Sequence, residues 1–304
     1  MNARLGFLVV CLMLGTIGTA RAAAPACAAQ GVWLQVLGSG GPELTDRRAS
    51  TGYLIWQDGR ARILIDMGAG SMLNYEHSGA RVEDLEVILL SHVHVDHSAD
   101  LPALLKASFF TDRSSDLPVY GPTGNQLMPD TRVFVQSLLG EPSGAFRYLS
   151  GYLTGSESYR LRAYDVPATG RAIQTVIDSN RLRVRAVPVH HGPVPALAWR
   201  IDMANRAIVI SGDMNGDNHT LEDLAAGADL MVAHHAIPEG TQGVARNLHM
   251  PPSVIGTIAA AAKVKQLVLS HRMTRTIGEE TSSERFIRER YRGPVTFAED
   301  GDCF

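Results

Sequence analysis

The chain is poor in the features that mark several large protein classes. Three cysteines in 304 residues are too few for a fold built on disulfides. There is no Gly/Ser-rich or Pro-rich linker, no block of like charge and no His-rich repeat, which argues against tethered domains and against a metal-storage tract. The uncharged apolar stretch from Leu5 to Ala20 is shorter than the roughly 20 residues that a membrane-crossing helix needs. Surplus positive charge is missing too, with 28 Lys plus Arg against 31 Asp plus Glu, so the surface has no general attraction for nucleic acid. The local runs Arg181-Leu182-Arg183-Val184-Arg185 and Arg285 to Arg292 read as solvated faces of a strand and a helix.

Residues 1–22 read as a secretory signal peptide, with Arg4 before the apolar stretch and Ala22, Ala23 and Ala24 at a small-residue cleavage region. Cleavage predicts a mature segment 23–31, a single compact domain over 32–304, no stable membrane anchor and a periplasmic or secreted location. Cys11 leaves with the leader. Cys27 and Cys303 are then expected to pair, joining the two ends of the mature chain in an oxidising compartment.

Strand-like apolar runs at Val32–Leu37, Gly52–Trp56, Arg62–Asp66, Val87–Leu90, Arg181–Val189, Leu197–Ile201, Ala207–Ser211, Leu230–Ala233 and Gln266–Ser270 alternate with helical patterns. The helices are expected at Ser98–Phe110, Thr220–Ala226, Pro252–Ala262 and Ser282–Tyr291. Two units share one plan: Tyr53 to Asp66 and Leu197 to Asp213 each hold an apolar strand, a polar turn and a second apolar strand that ends near an aspartate. Such an echo is expected of two similar halves packed sheet against sheet. Residues 111–180 show few motif features and are expected to include a loop or helical insertion over the cleft, where specificity would be decided. Phe109, Phe110, Phe146, Tyr148 and Tyr152 could line a pocket, with core packing the expected role.

The chemistry concentrates at His92, His94, Asp96 and His97, which read His-x-His-x-Asp-His directly after the apolar run Val87 to Leu90. Three imidazoles and a carboxylate at a strand end form a metal site. Further donors stand where other apolar runs meet turns: His190-His191 after Val189, Asp213 after Ile210, and His271 after Ser270. Strand ends of this kind converge on one cleft in layered folds. Paired cations there would lower the pKa of a shared water to make the nucleophile and would take up charge on the leaving oxygen, so no serine or cysteine nucleophile is required.

These motifs, with Leu37-Gly38-Ser39-Gly40-Gly41-Pro42, His191-Gly192-Pro193-Val194-Pro195-Ala196-Leu197-Ala198-Trp199-Arg200, Ser211-Gly212-Asp213 and Leu269-Ser270-His271, resemble the metallo-β-lactamase superfamily in its ribonuclease Z-like and arylsulfatase-like branch. The resemblance implies an α/β fold, a four-layer αββα sandwich with two mixed sheets. It also implies two zinc ions, with Mn2+ or Fe2+ as alternatives. His92, His94 and His191 would hold one ion, Asp96, His97 and His271 the other, and Asp213 would bridge them. His191 is preferred to His190 because its distance to the Ala-Trp-Arg strand matches the family pattern. His249, with His234 and His235 as further candidates, stands where the family places its proton donor, and His235 replaces the family's glutamate.

The resemblance implies a hydrolase acting on a small phosphodiester, sulfate ester or related ester. A homodimer is compatible with it. The long arm with which ribonuclease Z grips transfer RNA has no counterpart between His191 and Asp213, which disfavours nucleic acid as the substrate. Aspartate at 213, where the β-lactamase branches carry cysteine or serine, disfavours that activity. A lactone or amide hydrolase is the alternative among enzymes, and a non-catalytic metal-binding protein on the same fold is the alternative outside them.

Overall fold

The computed structural model describes Cys27 and residues 30–304; the expected signal peptide lies outside the described residues. Among the described residues thirteen strands form two sheets. The first holds β1 (Val32–Gly38), β2 (Gly52–Gln57), β3 (Arg60–Met67), β4 (Val87–Leu89), β5 (Leu117–Pro122) and β6 (Leu161–Val166), in that order. The second holds β7 (Gln174–Asp178), β8 (Leu182–His191), β9 (Val194–Met203), β10 (Arg206–Ile210), β11 (Leu230–His234), β12 (Leu267–Ser270) and β13 (Val295–Phe297), again side by side. The helices are α1 (Ser71–His77), α2 (Val95–Ser98), α3 (Leu101–Ser108), α4 (Thr131–Leu139), α5 (Gly151–Thr154), α6 (Leu221–Leu224), α7 (Gly243–Leu248), α8 (Pro252–Ala261) and α9 (Glu280–Arg288).

Alternation along the strands builds three apolar layers, because successive side chains point to opposite faces. Between the sheets lie Leu34, Tyr53, Ile55, Ile63, Ile65, Leu89, Trp199, Ile201, Ile208, Val232 and Val268. Their neighbours Trp33, Leu54, Leu64 and Ile88 face outward onto α3 residues Leu101, Leu104 and Leu105. On the other side Val209, Met231, Leu267 and Leu269 meet Ile255 and Ile258 of α8. Helix, sheet, sheet and helix therefore stack as the expected αββα sandwich.

Both sheets repeat one connectivity. β1-β2-β3 pair antiparallel and β3-β4-β5-β6 parallel. In the same way β8-β9-β10 pair antiparallel and β10-β11-β12-β13 parallel. The echoed hairpins at Tyr53 and Leu197 are the second and third strands of each half.

The stretch 111–180 includes a helical insertion, α4 and α5 between β5 and β6, and it also builds sheet. It supplies β5 and β6 to the first sheet and β7 to the edge of the second. The edge strand β6, Leu-Arg-Ala-Tyr-Asp-Val, carries the charge that blunts an edge, and β5, Leu-Pro-Val-Tyr-Gly-Pro, is broken by two prolines and a glycine, so neither shows the apolar run that marks a central strand. Tyr152 is in the core, but Phe109, Phe110, Phe146 and Tyr148 are exposed. They sit at helix ends and turns, and the Lys106 ammonium lies over the Phe109 and Phe110 rings. No helix among the described residues is long and apolar enough to cross a membrane.

The C-terminus crosses back to the first sheet. Leu34 and Phe304 exchange backbone hydrogen bonds, and Val36 N donates to Asp302 O, so the tail covers the free edge of β1. Cys303 in that tail is bonded to Cys27, with Cα atoms 5.3 Å apart, as expected. A thiol titration of the 23–304 chain, unfolded without reductant, should therefore find no free sulfhydryl, and two after reduction; two before reduction would contradict the bridge.

Candidate metal centre

Six strands end at one edge of the sandwich and bring the chemistry with them. After β4 the chain turns through Ser91 and His92 to His94, which is the N-cap of the one-turn helix α2 carrying Asp96 and His97. That turn seats tightly against the end of β3. A Cβ on Gly68 would lie 2.1 Å from the Asp96 carbonyl oxygen, so only glycine fits there. From the second sheet come His191 at the end of β8, Asp213 after β10, His234 at the end of β11 and His271 after β12. The sheets are joined just behind the centre: Trp199 Nε1 donates to Leu90 O at 3.1 Å, and Leu197 N donates to Ser91 O at 2.9 Å.

Two groups of donors face each other. His92, His94 and His191 form one, with ring centroids 4.6 to 5.3 Å apart and His92 Nε2 3.0 Å from His94 Nδ1. Asp96, His97 and His271 form the other. His271 Nε2 lies 3.2 Å from Asp96 Oδ2 and His97 Nε2 lies 3.4 Å from the same oxygen. Asp213 stands between the groups. Its Oδ2 is 3.6 Å from His191 Nε2 and 3.7 Å from His97 Nε2, while its Oδ1 is 3.3 Å from His271 Nε2.

The donor set fits divalent cations. His97 Nε2 and His191 Nε2 are buried without a hydrogen-bond partner, although a buried polar nitrogen is rarely left unpaired. Both rings are held by their other nitrogen, His97 Nδ1 to Asp66 Oδ2 at 2.8 Å and His191 Nδ1 to Leu248 O at 2.9 Å. A proton fixed on Nδ1 leaves the Nε2 lone pair for a metal, which is how ligating imidazoles are oriented.

Electrostatics follow from burial opposed by neighbours. Burial would raise Asp213, but His271, His249 and His97 around it hold the carboxyl well below its usual range. Burial likewise would depress His271, yet Asp213 and Asp96 lift it to about 9, and Asp96, Asp66 and Asp213 lift His97 in the same way. Where burial dominates, the imidazole stays neutral: His92 is pushed well down by its buried site and by His97.

The three candidate proton carriers separate. His249, the C-cap of α7, is 7% exposed and its Nδ1 lies 3.9 Å from Asp213 Oδ2; burial lowers it to about 3. His234 is buried behind the centre. Its Nδ1 is 2.8 Å from Asp213 Oδ1 and its Nε2 3.1 Å from the Tyr53 hydroxyl, and burial lowers it to about 4 despite Asp213. His235 points the opposite way, as the next residue on an extended chain must, with Nε2 3.0 Å from Ser283 Oγ on α9 and its ring against Phe297. Similarly, His190 faces Asn215 rather than the cluster.

Asp66 is a residue that sequence reasoning passed over. Its carboxylate accepts from Ser91 N and Ser91 Oγ, each at 2.7 Å, as well as binding His97. Its signals were its position at the end of the echoed hairpin and its charge next to an apolar run. Asp66 and His271 both take left-handed backbone, with φ of 52° and 53°, a conformation that costs non-glycine residues of order 1–3 kcal/mol and that clusters at functional sites. Close approach matters again at Gly41, where a Cβ would meet His271 Cε1 at 2.7 Å.

Comparison with known proteins agrees with this arrangement. Residues 61–272 match the Beta-lactamase superfamily domain. Ribonuclease Z of Natronomonas pharaonis is 26% identical, with 88% of this chain and 95% of that protein covered. Ribonuclease Z of Mycobacterium sp. (strain KMS) is 32% identical over 66% of this chain and 67% of its own length. Among solved structures, the metallo-beta-lactamase fold protein YhfI from Bacillus subtilis superposes with a TM-score of 0.68 at 21% identity, covering 90% of this chain and 100% of that one. With two mixed sheets, a histidine and aspartate cluster at their shared edge and these relatives, the chain belongs to the metallo-β-lactamase superfamily, in its ribonuclease Z-like branch.

Proposed function

We propose that this chain is a metal-dependent hydrolase of small phosphodiesters that works with two divalent cations, zinc in the first place. The observation that carries the proposal is the pair of donor groups facing each other across Asp213. His92, His94 and His191 would hold one ion and Asp96, His97 and His271 the other, with Asp213 shared. Imidazole and carboxylate donors suit zinc, and also manganese or iron. Cations bound there would lower the pKa of water and polarise a phosphoryl oxygen.

The chain's own residues supply the rest. Asp66, Leu248 and His234 fix the rings and the carboxylate that face the substrate, so little reorganisation is needed during reaction. His249, with its Nδ1 3.9 Å from Asp213 Oδ2, would be the group that donates to the leaving oxygen. Burial keeps it neutral near pH 7, and His235 in place of a glutamate leaves it without an acidic partner from β11. It therefore acts as a hydrogen-bond donor whose help matters most for leaving groups that need a proton.

Relatives named ribonuclease Z support phosphodiester chemistry. Transfer RNA is disfavoured because His191 to Asp213 is filled by the Gly192-Pro193 turn, β9 and β10, with no room for an arm. Sulfate esters remain a second substrate of the same centre. The leader-like residues 1–22 and the Cys27–Cys303 bridge support export to an oxidising compartment.

Purified 23–304 protein should hydrolyse an aryl phosphodiester, lose the activity to a chelator and regain it with zinc. Activity on a transfer-RNA precursor instead would redirect the proposal, and inactivity on phosphodiester, sulfate, lactone and cephalosporin substrates with metal bound would favour the non-catalytic reading. His249→Ala should slow turnover of an alkyl phosphodiester by roughly 100-fold, and that of an aryl one by less, while metal content stays the same.

Metal binding should also depend on pH in a defined direction. Without metal, His271 is protonated below about 9 and His97 is also raised, whereas a ligand must be neutral. Zinc binding at pH 7 should therefore release protons, measurable in weakly buffered dye solution, and affinity should climb as pH rises towards about 9. Asp66→Asn, which weakens the hold on His97, should cost on the order of 10–100-fold in affinity; an unchanged affinity would show that Asp66 does not orient the ligand.

A further inference from the structure

The geometry points to Asn215 as the positioning residue for His249, a role that rests on the proposed hydrolase reading. Helix α7, which ends at His249, buries none of its side chains. Its Leu248 is only partly buried, near Gly192, so apolar packing is weak along the helix up to the buried His249 and Met250 that follow it. Gly240 and Gly243, before and at its start, have left-handed φ and open space around them, so the approach to the helix is loosely packed.

Its position comes from polar ties at its last turn. Asn215 is wholly buried, and its Nδ2 lies 3.1 Å from Asn247 O, 2.6 Å from His190 Nδ1 and 3.1 Å from Asp217 Oδ2. Two amide protons are shared among those three acceptors. Asn215 N donates to His190 O at 2.8 Å, and its Oδ1 accepts from Asp217 N at 2.9 Å. Arg246 closes the loop, donating to Asn215 O at 3.1 Å and to Asp217 Oδ1 at 3.2 Å. The next residues of the chain are Leu248, whose carbonyl accepts from His191 Nδ1, and His249 itself. One buried amide thus fastens the free end of α7 to the strand end that carries His191.

Two consequences can be read separately. Losing the amide removes the buried tie on α7, and a helix with no fully buried side chain then opens locally more easily. His249 loses its place over Asp213, while His191 stays on its strand end but loses part of the hold that Leu248 O has on its ring, so the comparison is made at saturating zinc. Asn215→Ala removes the donors, and Asn215→Asp keeps the size but faces three acceptors with a carboxylate, which should be the more severe change.

The test uses metal-loaded protein in both variants. Trypsin should cut after Arg246 at least about 5-fold faster than in the parent, with other sites unaffected. In the phosphodiester assay kcat should fall about 10-fold with KM and metal content unchanged, and in a His249→Ala background Asn215→Ala should cost less than about 2-fold. An unchanged cleavage rate at Arg246 overturns the proposal, as do equal losses in both backgrounds. If no phosphodiester is turned over, the functional reading fails while the trypsin comparison still decides the role of Asn215. Should the alanine variant not fold, Arg246→Ala, which removes a tie from the surface side, should give the same faster opening of α7, read by hydrogen exchange; unaltered exchange overturns the proposal.

Discussion

Everything at the centre depends on one buried carboxylate. Asp213 is 2% exposed and sits within 4 Å of donor nitrogens from five histidines, His97, His191, His234, His249 and His271. Burying an unpaired charge costs several kcal/mol, a large part of the roughly 5–15 kcal/mol that a domain has in total. The imidazoles are thus obligatory partners of Asp213. Their convergence from β8, β11, β12, α2 and the end of α7 requires both sheets to be docked in one register, so the site and the fold are specified by the same contacts. Trp199 is the clearest link: its ring fills the space between the sheets, and its N–H holds the carbonyl of Leu90 two residues before His92.

The repeated halves explain why the site lies where it does. In each half the third, fourth and fifth strands run parallel and end at one edge, where polar side chains can gather without being covered by a returning strand. The first half contributes Asp66 and the His92 to His97 turn, and the second contributes Asp213, His234 and His271. Neither half alone closes a donor set, since the groups mix residues from both, with His191 beside His92 and His271 beside Asp96. Tyr53 of the first sheet, hydrogen-bonded to His234 of the second, ties the halves together once more behind the carboxylate.

Central strands and the clustered donors were legible in the sequence because both are local signals. Val87 to Leu90 is apolar along its whole length, and the four donors after it fall within six residues. What was not legible depends on partners far away in the chain. β5 and β6 carry charge and proline because their outer positions are solvated, so their pattern is weak. Asp66 looks like any strand-end aspartate until His97, brought to it by the α2 turn, supplies the reason for its burial. The identity of the residue next to His234 was visible, but not its direction: alternation sends His235 to Ser283 and away from the centre. Four aromatics assigned to the core proved exposed because residue type alone does not say which side of a helix end or turn faces solvent.

The centre has an inner wall and an outer wall of different construction. The inner one is made of strand ends whose neighbours are fully buried, so its geometry is as fixed as the core itself. The outer one consists of the 39–50 loop, the turn after His271 and α7, and these are held by polar ties. Asp300 accepts from Ser39 N and Ala49 N, Glu299 pairs with Arg48 and Arg272, and Asn215 anchors α7. These ties are partly exposed to solvent, which screens the charged ones towards the range of about 0–1 kcal/mol, against about 1.5–3 for a buried apolar side chain, so the outer wall is the softer part. The candidate metal donors sit on the rigid side, while His249 sits on the softer one. Changes of substrate within such a protein are therefore expected to accumulate in the 39–50 loop, the turn after His271 and α7, where they disturb neither the carboxylate nor its histidines.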